Sequence, residues 1–279
     1  MCRMAVAIVR GDPVRFVPGI VDSLVKAASN DPYGDALYGE RQHRDGWGFL
    51  LLGFGGSRRV VYYRSLRPIF EDSATEVVAQ ALSGLDAGST VVLMIHARAA
   101  STNTPINIPS THPVMYVTRA GSELYMIHNG SFMKDLIVRE LGVDGGFASR
   151  FNDTYIANMA LAQRLGVDDV DRDALSWLLG RVKTGANLGL ALVGGQFVNV
   201  VVGSYYRLLG DGKDGVRSTY YKFYRCSVPG GVLYASSTVI DYYRPQFVGD
   251  CWVLGNGEYH SYRVDFRGEF TEPMVWRFT

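Results

Sequence analysis

The chain has 279 residues, 47% of them apolar, and a formal net charge of +1, so a sizeable core is available. Lys and Arg are scattered along it, which gives no electrostatic case for nucleic acid or an anionic membrane as partner. No stretch reaches the ~20 uninterrupted apolar residues of a spanning helix, and the basic region of a cleavable signal peptide is missing. A soluble cytoplasmic protein is expected. The three cysteines, Cys2, Cys226 and Cys251, are too few for a disulfide framework and point to a reducing compartment, with Cys226 and Cys251 expected as buried free thiols and a Cys226–Cys251 bridge as the alternative.

Met1-Cys2-Arg3-Met4 opens directly into the apolar run 5–9. Removal of Met1 before a residue as small as Cys2 would leave a thiol and a free α-amine on one residue. The amine titrates near pH ~7.7–8 and the thiol near ~8.5, so nucleophile and base come together. By itself, Cys2 reads first as an incidental small hydrophobe.

Residues 4–10 read as a buried strand ended by Gly11-Asp12-Pro13. Pro18 is expected near the start of a helix that buries Ile20, Val21, Leu24 and Val25. A turn-rich stretch at 30–34 leads to His43-Arg44-Asp45-Gly46-Trp47-Gly48 and a hairpin pairing 50–52 with 59–63. Capping-box spacing at Ser73-Ala74-Thr75-Glu76 opens a helix through Leu82. Thr90 to Ile95 forms a strand emptying into Arg98-Ala99-Ala100-Ser101, then a loop to His112-Pro113. Strands are predicted at 114–118 and 123–127, and helices at 132–141, 154–165 and 173–183. The rest reads as β: 187–194, 197–207, 218–227, 231–236 and 250–265. With no repeat or linker, one domain is expected, its layered sheets flanked by helices.

Polar groups gather at strand ends, where a rigid scaffold presents chemistry. Arg98 suits bidentate binding of a carboxylate, or pairs a core acid. Asn129-Gly130 is first a tight-turn signal; an Asn amide beside a glycine N–H also makes two donors for an oxyanion. Asp153 has the position of a helix N-cap and also suits an ammonium. His96, His112 and His128 lack zinc-motif spacing and are expected as hydrogen-bonded structural histidines, with no metal.

Together, Cys2, 43–48, 96–101, 112–113, 128–130 and 152–154 form an ordered set that resembles the class II (N-terminal cysteine) glutamine amidotransferases. The ordered motifs cover residues 2–165 and continue loosely through 186–188 and 233–237. The resemblance implies an α+β fold: a four-layer αββα Ntn-hydrolase sandwich, with residues 2–279 as a single amidotransferase domain and strands in 187–279 completing its sheets. It implies that Cys2 attacks the glutamine side-chain amide, that its amine shuttles the proton, and that Asn129 with the Gly130 N–H stabilises the oxyanion. Arg98 would hold the α-carboxylate and Asp153 the α-ammonium. Ser101 and His112 match supporting pocket positions, and Gly46-Trp47 lie on the strand lining the pocket. No cofactor is implied.

Tyr155 stands where many relatives carry an acid, and Asn152 where they carry Ser. The chain shows no second domain to consume ammonia. The expected partner is therefore a separate synthase subunit, with a homo-oligomer also allowed, and the first alternative is hydrolysis of a γ-glutamyl amide. A non-catalytic binding module on the same fold is the second. The Tyr- and Arg-rich stretches 205–206, 220–225 and 242–244 read mainly as strand composition, with an interface or an enlarged acceptor pocket as the other reading.

Overall fold

Alternation along the first strand decides the layering. The computed structural model describes residues 2–56, 58–165, 169–194 and 196–279; Met1 lies outside them. In β1 (Cys2–Arg10) the odd positions Ala5, Ala7 and Val9 join a core with α1 (Pro13–Ser29). The even positions Met4, Val6 and Ile8 face the other way, into a second core. Period-two geometry therefore sends Cys2 toward the second core and Arg3 toward the helices.

After α1 come α2 (Pro32–Tyr38), the hairpin β2 (Trp47–Phe54) and β3 (Arg59–Ser65), α3 (Ala74–Leu82) and β4 (Thr90–Arg98). Next are β5 (Val114–Val117), β6 (Glu123–Phe132), α4 (Lys134–Leu141), the single turn α5 (Gly145–Ala148), α6 (Asp153–Arg164) and α7 (Arg172–Leu179). The remainder is β7 (Val182–Gly194), β8 (Phe197–Ser204), α8 (Asp214–Tyr221), β9 (Phe223–Val228), β10 (Gly231–Ser236), α9 (Ser237–Tyr243), β11 (Cys251–Val253), β12 (Glu258–Asp265) and β13 (Met274–Arg277).

Two antiparallel sheets result, ordered β11-β9-β10-β1-β4-β2-β3 and β13-β12-β8-β7-β6-β5. One core lies between the first sheet and α1, α3 and α9. A second fills the space between the sheets, where Val6 and Leu50 share a cluster with Ile127 and Val200. A third packs the other sheet on α4, α6 and α7. The fold is the expected four-layer αββα sandwich.

Local chemistry corrects several expectations. α1 starts at Pro13, with the Asp12 carboxylate accepting from Arg15 N, so Pro18 lies inside the helix. Residues 32–38 are helical, Pro32 sitting in the first turn where its missing N–H costs nothing. Ser73 has φ 45° and its hydroxyl caps nothing, so capping-box spacing at α3 is not a made bond. Residues 214–221 are helix α8, not strand. Cys226 and Cys251 face each other across β9 and β11 and form a disulfide, so free thiols are not what the fold holds. The cysteine count therefore carries no argument for a reducing compartment. Among the described residues no helix is long and apolar enough to cross a membrane.

Beneath β1, the Arg3 guanidinium donates to both Asp31 oxygens at 2.7 and 2.8 Å, with both side chains fully buried. His43 Nε2 lies 2.8 Å from the same carboxylate and the Thr238 hydroxyl donates to it at 2.5 Å. Burial would raise the Asp31 pKa, but Arg3 and the His43 hydrogen bond outweigh it and hold the carboxyl far below its ordinary range. A carboxylate depressed this way stabilises the fold above its unfolded value near ~3.9, and that contribution fades as pH falls below it. Asp31→Asn leaves the buried guanidinium without a counter-charge and is expected to cost about 3–5 kcal/mol. Urea unfolding at neutral pH measures this; a loss under about 1 kcal/mol would contradict it.

Candidate active site

Register places the nucleophile candidate. β1 lies between β4 and β10, and Cys2 pairs directly opposite Arg98, the last residue of β4. His96 and Arg98 share the parity of Val92 and Met94, which face the gap between the sheets. Across that gap, Asn129 shares the parity of Tyr125 and Ile127 on β6. Asn129 Oδ1 accepts from Cys2 N at 3.2 Å, and Tyr220 Oη lies 3.1 Å from that nitrogen. With Met1 attached this nitrogen is a peptide N–H; once Met1 is removed the same atom is the α-amine.

Asn129-Gly130 is not a turn. Both residues lie within β6, just before a break in its register with β7 between Gly130 and Phe132. Such irregularities re-aim side chains beside functional sites. Gly130 has φ +143°, and a Cβ there would meet the Gly185 carbonyl oxygen at 1.8 Å, so only glycine fits. A Cβ on Gly48 would sit 2.6 Å from the His112 carbonyl oxygen, so this glycine admits the segment that carries His112.

A cavity of about 400 Å³ opens over Cys2, a size typical of small-molecule sites. Arg98, Ser101, His112, Gly130 and Asp153 line it with Cys2. Gly46 and Trp47 do not: Trp47 is on the odd face of β2, buried in the helix-side core, its indole N–H donating to Asp72 at 2.9 Å. Parity corrects the expectation for Trp47; Gly46 precedes β2, its carbonyl accepts from Arg98 N at 2.9 Å, and it too is off the cavity wall. Tyr155 is also off the cavity wall and stacks on Phe151 with centroids 4.2 Å apart.

Three buried polar atoms at this site have no hydrogen-bond partner among the described residues: Arg98 Nη1, Asn129 Nδ2 and His112 Nε2. Arg98 Nη2 donates to the Pro105 carbonyl at 2.9 Å, and among the described residues no carboxylate forms an ion pair with it. Burial lowers the Arg98 pKa, against the raising effect of Cys2, Asp45 and Asp153. Asp153 is the first residue of α6, and Asn152, accepting from Tyr155 N at 2.9 Å, is the N-cap. Asp153 is therefore not the cap; its carboxylate accepts from Phe132 N at 2.6 Å. Because Asn and Ser both cap well, Asn152 keeps the helix start that the aspartate needs.

The structure adds residues that spacing did not reveal. Tyr220 Oη lies 3.2 Å from both Cys2 O and Asn129 Oδ1, which share its one O–H as acceptors, and its ring lies 4.1 Å from the Arg3 guanidinium carbon. Lys134, Lys183, Phe132 and Phe151 extend the cavity wall. The tyrosine-rich composition of 220–225 was the available signal for Tyr220; nothing marked the lysines.

His128 is satisfied at both nitrogens, by Thr154 Oγ1 and the Gly185 carbonyl at 3.0 Å each. His96 Nε2 reaches the His128 carbonyl at 3.0 Å, and the His96 and His112 rings meet edge to face. Sequence spacing separated the histidines from Cys2, yet one ligand atom each from Cys2, His96 and His112 falls within a 4.8 Å group.

The sequence matches no protein-family model and no curated protein. Solved structures do match. One is glutamine phosphoribosylpyrophosphate amidotransferase from B. subtilis with ADP and GMP, with TM-score 0.56 and 13% identity, over 99% of this chain and 49% of that one. The two chains share one fold. A structure described as the allosteric regulatory enzyme of purine biosynthesis matches equally, with TM-score 0.56, 13% identity and the same coverage of 99% and 49%. This chain thus spans about half the length of those structures. A glutamine aminotransferase class-II domain protein from Silicibacter pomeroyi aligns over 100% of both chains at 13% identity, with TM-score 0.45.

Burial pushes His96 down to about 3 and His128 down to about 4, and holds His112 well below its ordinary value. Unfolding restores values near ~6.5, so the unfolded chain binds more protons below that pH. Stability is then full above ~6.5 and falls as pH drops, by roughly 1 kcal/mol per imidazole between pH 7.5 and 5.5. Denaturant unfolding at those two pH values is expected to differ by about 3–4 kcal/mol; equal stabilities would contradict neutral buried imidazoles.

Proposed function

We propose that this chain is a glutaminase of the class II amidotransferase kind, with residues 2–279 acting as one domain. The observation that carries the reading is the meeting of Cys2 N with Asn129 Oδ1 at 3.2 Å beside a cavity whose wall includes Arg98 and Asp153. Cys2 Sγ attacks the side-chain amide carbonyl while the α-amine, freed by loss of Met1, takes the thiol proton. The unpartnered Asn129 Nδ2 and the Gly130 N–H receive the oxyanion. Collapse returns the proton to the leaving nitrogen, releasing ammonia and leaving a γ-glutamyl thioester. Water attacks that thioester and gives glutamate.

Arg98 suits the α-carboxylate because its Nη1 is buried and unpartnered, a state costly enough to favour an anionic ligand. Asp153 suits the α-ammonium. Ser101 and His112 border the same space. Tyr220 is a positioning residue that ties the Cys2 nitrogen to Asn129. In this reading the protein is cytoplasmic and passes ammonia to a separate synthase subunit.

A second reading, hydrolysis of a γ-glutamyl amide, rests on the cavity wall extending to Lys134, Lys183, Phe132 and Phe151. These side chains offer contacts to a group attached beyond the amide nitrogen. A panel of γ-glutamyl amides compared by kcat/KM distinguishes the two.

Release of glutamate from L-glutamine by Met1-free protein, with and without candidate synthase subunits, tests the main reading. Asn129→Ala should lower kcat by about 10²–10³-fold with much less change in KM, since an oxyanion donor acts mainly in the transition state. Cys2→Ala should abolish turnover. Turnover that survives Cys2→Ala, or no release of glutamate by any Met1-free preparation, would reject the proposal.

A further inference from the structure

The cavity floor holds a second chemistry. Cys2, His96 and His112 are all buried and each offers one ligand atom within the same 4.8 Å group. We propose that these three residues bind one divalent cation of the zinc class, with the Cys2 α-amine as fourth ligand once Met1 is gone, giving a metal-masked form of the nucleophile. This goes beyond the glutaminase reading and shares with it Cys2 and the loss of Met1.

Geometry favours it. A tetrahedral ion with bonds of about 2.0–2.1 Å to nitrogen and 2.3 Å to sulfur holds its ligand atoms roughly 3.3–3.6 Å apart. His112 Nδ1 lies 3.3 Å from His96 Nδ1, the spacing such an ion needs, and the two rings, now edge to face, would turn to aim both lone pairs at it. The three ligand atoms lie within 4.8 Å of one another, and side-chain rotation would contract the group onto an ion. His96 Nε2 faces the His128 carbonyl at 3.0 Å. An N–H donated there leaves Nδ1 with its lone pair, the arrangement that outer carbonyls impose on metal-bound histidines. His112 Nε2 is buried without a partner, so the ring is not committed elsewhere through that atom.

The donor set selects the ion. The terminal amine and thiolate of Cys2 close a five-membered chelate, and two imidazoles complete a set of three nitrogens and one sulfur. Such donors favour zinc, cobalt and copper over magnesium and calcium, which take oxygen ligands. Binding changes no oxidation state: the thiol releases its proton, the ammonium releases one if it carries it, and the metal takes both lone pairs. Nucleophile and base are then engaged together, so the metal and a γ-glutamyl electrophile exclude each other.

The test is a Co²⁺ titration of chelator-treated, Met1-free protein, followed by thiolate-to-cobalt absorption in the near ultraviolet. One equivalent should bind, one equivalent of Zn²⁺ should displace it, and Cys2→Ser should lose the band. His96→Gln and His112→Gln should each weaken binding by about tenfold or more, with circular dichroism confirming that each variant is folded. Absence of the band, or unchanged affinity in the folded histidine variants, would overturn the site. No glutamine enters the assay, so its failure is separate from failure of the glutaminase reading.

Discussion

Antiparallel pairing of β1 between β4 and β10 is the constraint on which the site depends. It sets Cys2 opposite Arg98, and its alternation points the sulfur-bearing residue into the gap between sheets while Arg3 enters the helix layer. A one-residue slip would exchange the two faces. The thiol would then sit under α1, and a guanidinium would occupy the inter-sheet core. Register is thus chemistry here, because no loop intervenes between the strand and the residue it presents.

The two faces of β1 are coupled through Tyr220. Arg3 donates to the Tyr220 carbonyl at 3.3 Å and lies over its ring, while the phenol oxygen lies 3.1 Å from the Cys2 nitrogen. Asp31, His43 and Thr238 fix Arg3 from below. The His43 of the 43–48 motif therefore acts through a buried ion pair and not on a substrate. Its neighbour Gly48 acts by making room for the segment that brings His112. Charged groups so deep are tolerated because each finds a partner. Among those left unpartnered, Arg98 Nη1 and His112 Nε2 belong to residues of the cavity wall, and Asn129 Nδ2 to a residue bonded to Cys2 N.

Much of this was legible in the chain. Strand and helix periodicity located most elements, and of the motif residues Cys2, Arg98, Ser101, His112, Gly130 and Asp153 line one cavity. What failed did so for identifiable reasons. Asn129-Gly130 carries a turn signal that tertiary pairing overrides, since β6 continues through it beside β7. Trp47 belongs to a strand that reaches the site, but its parity turns it away. Tyr220 and Tyr221 have strand propensity yet lie on α8, packed against Tyr38 and the underside of the site. Propensity is weak where long-range packing is this dense. The Cys226–Cys251 pairing depended on β9 and β11 becoming neighbours, which no local signal announces.

The central claim is that Cys2, freed of Met1, is the nucleophile facing Arg98 and Asp153. Intact-mass measurement after exposure to a glutamine-mimicking electrophile tests it most directly. A single adduct, mapped to the terminal cysteine and lost in Arg98→Ala at the same reagent concentration, is the predicted result. An unmodified chain still carrying Met1, or labelling that ignores Arg98, would contradict the account.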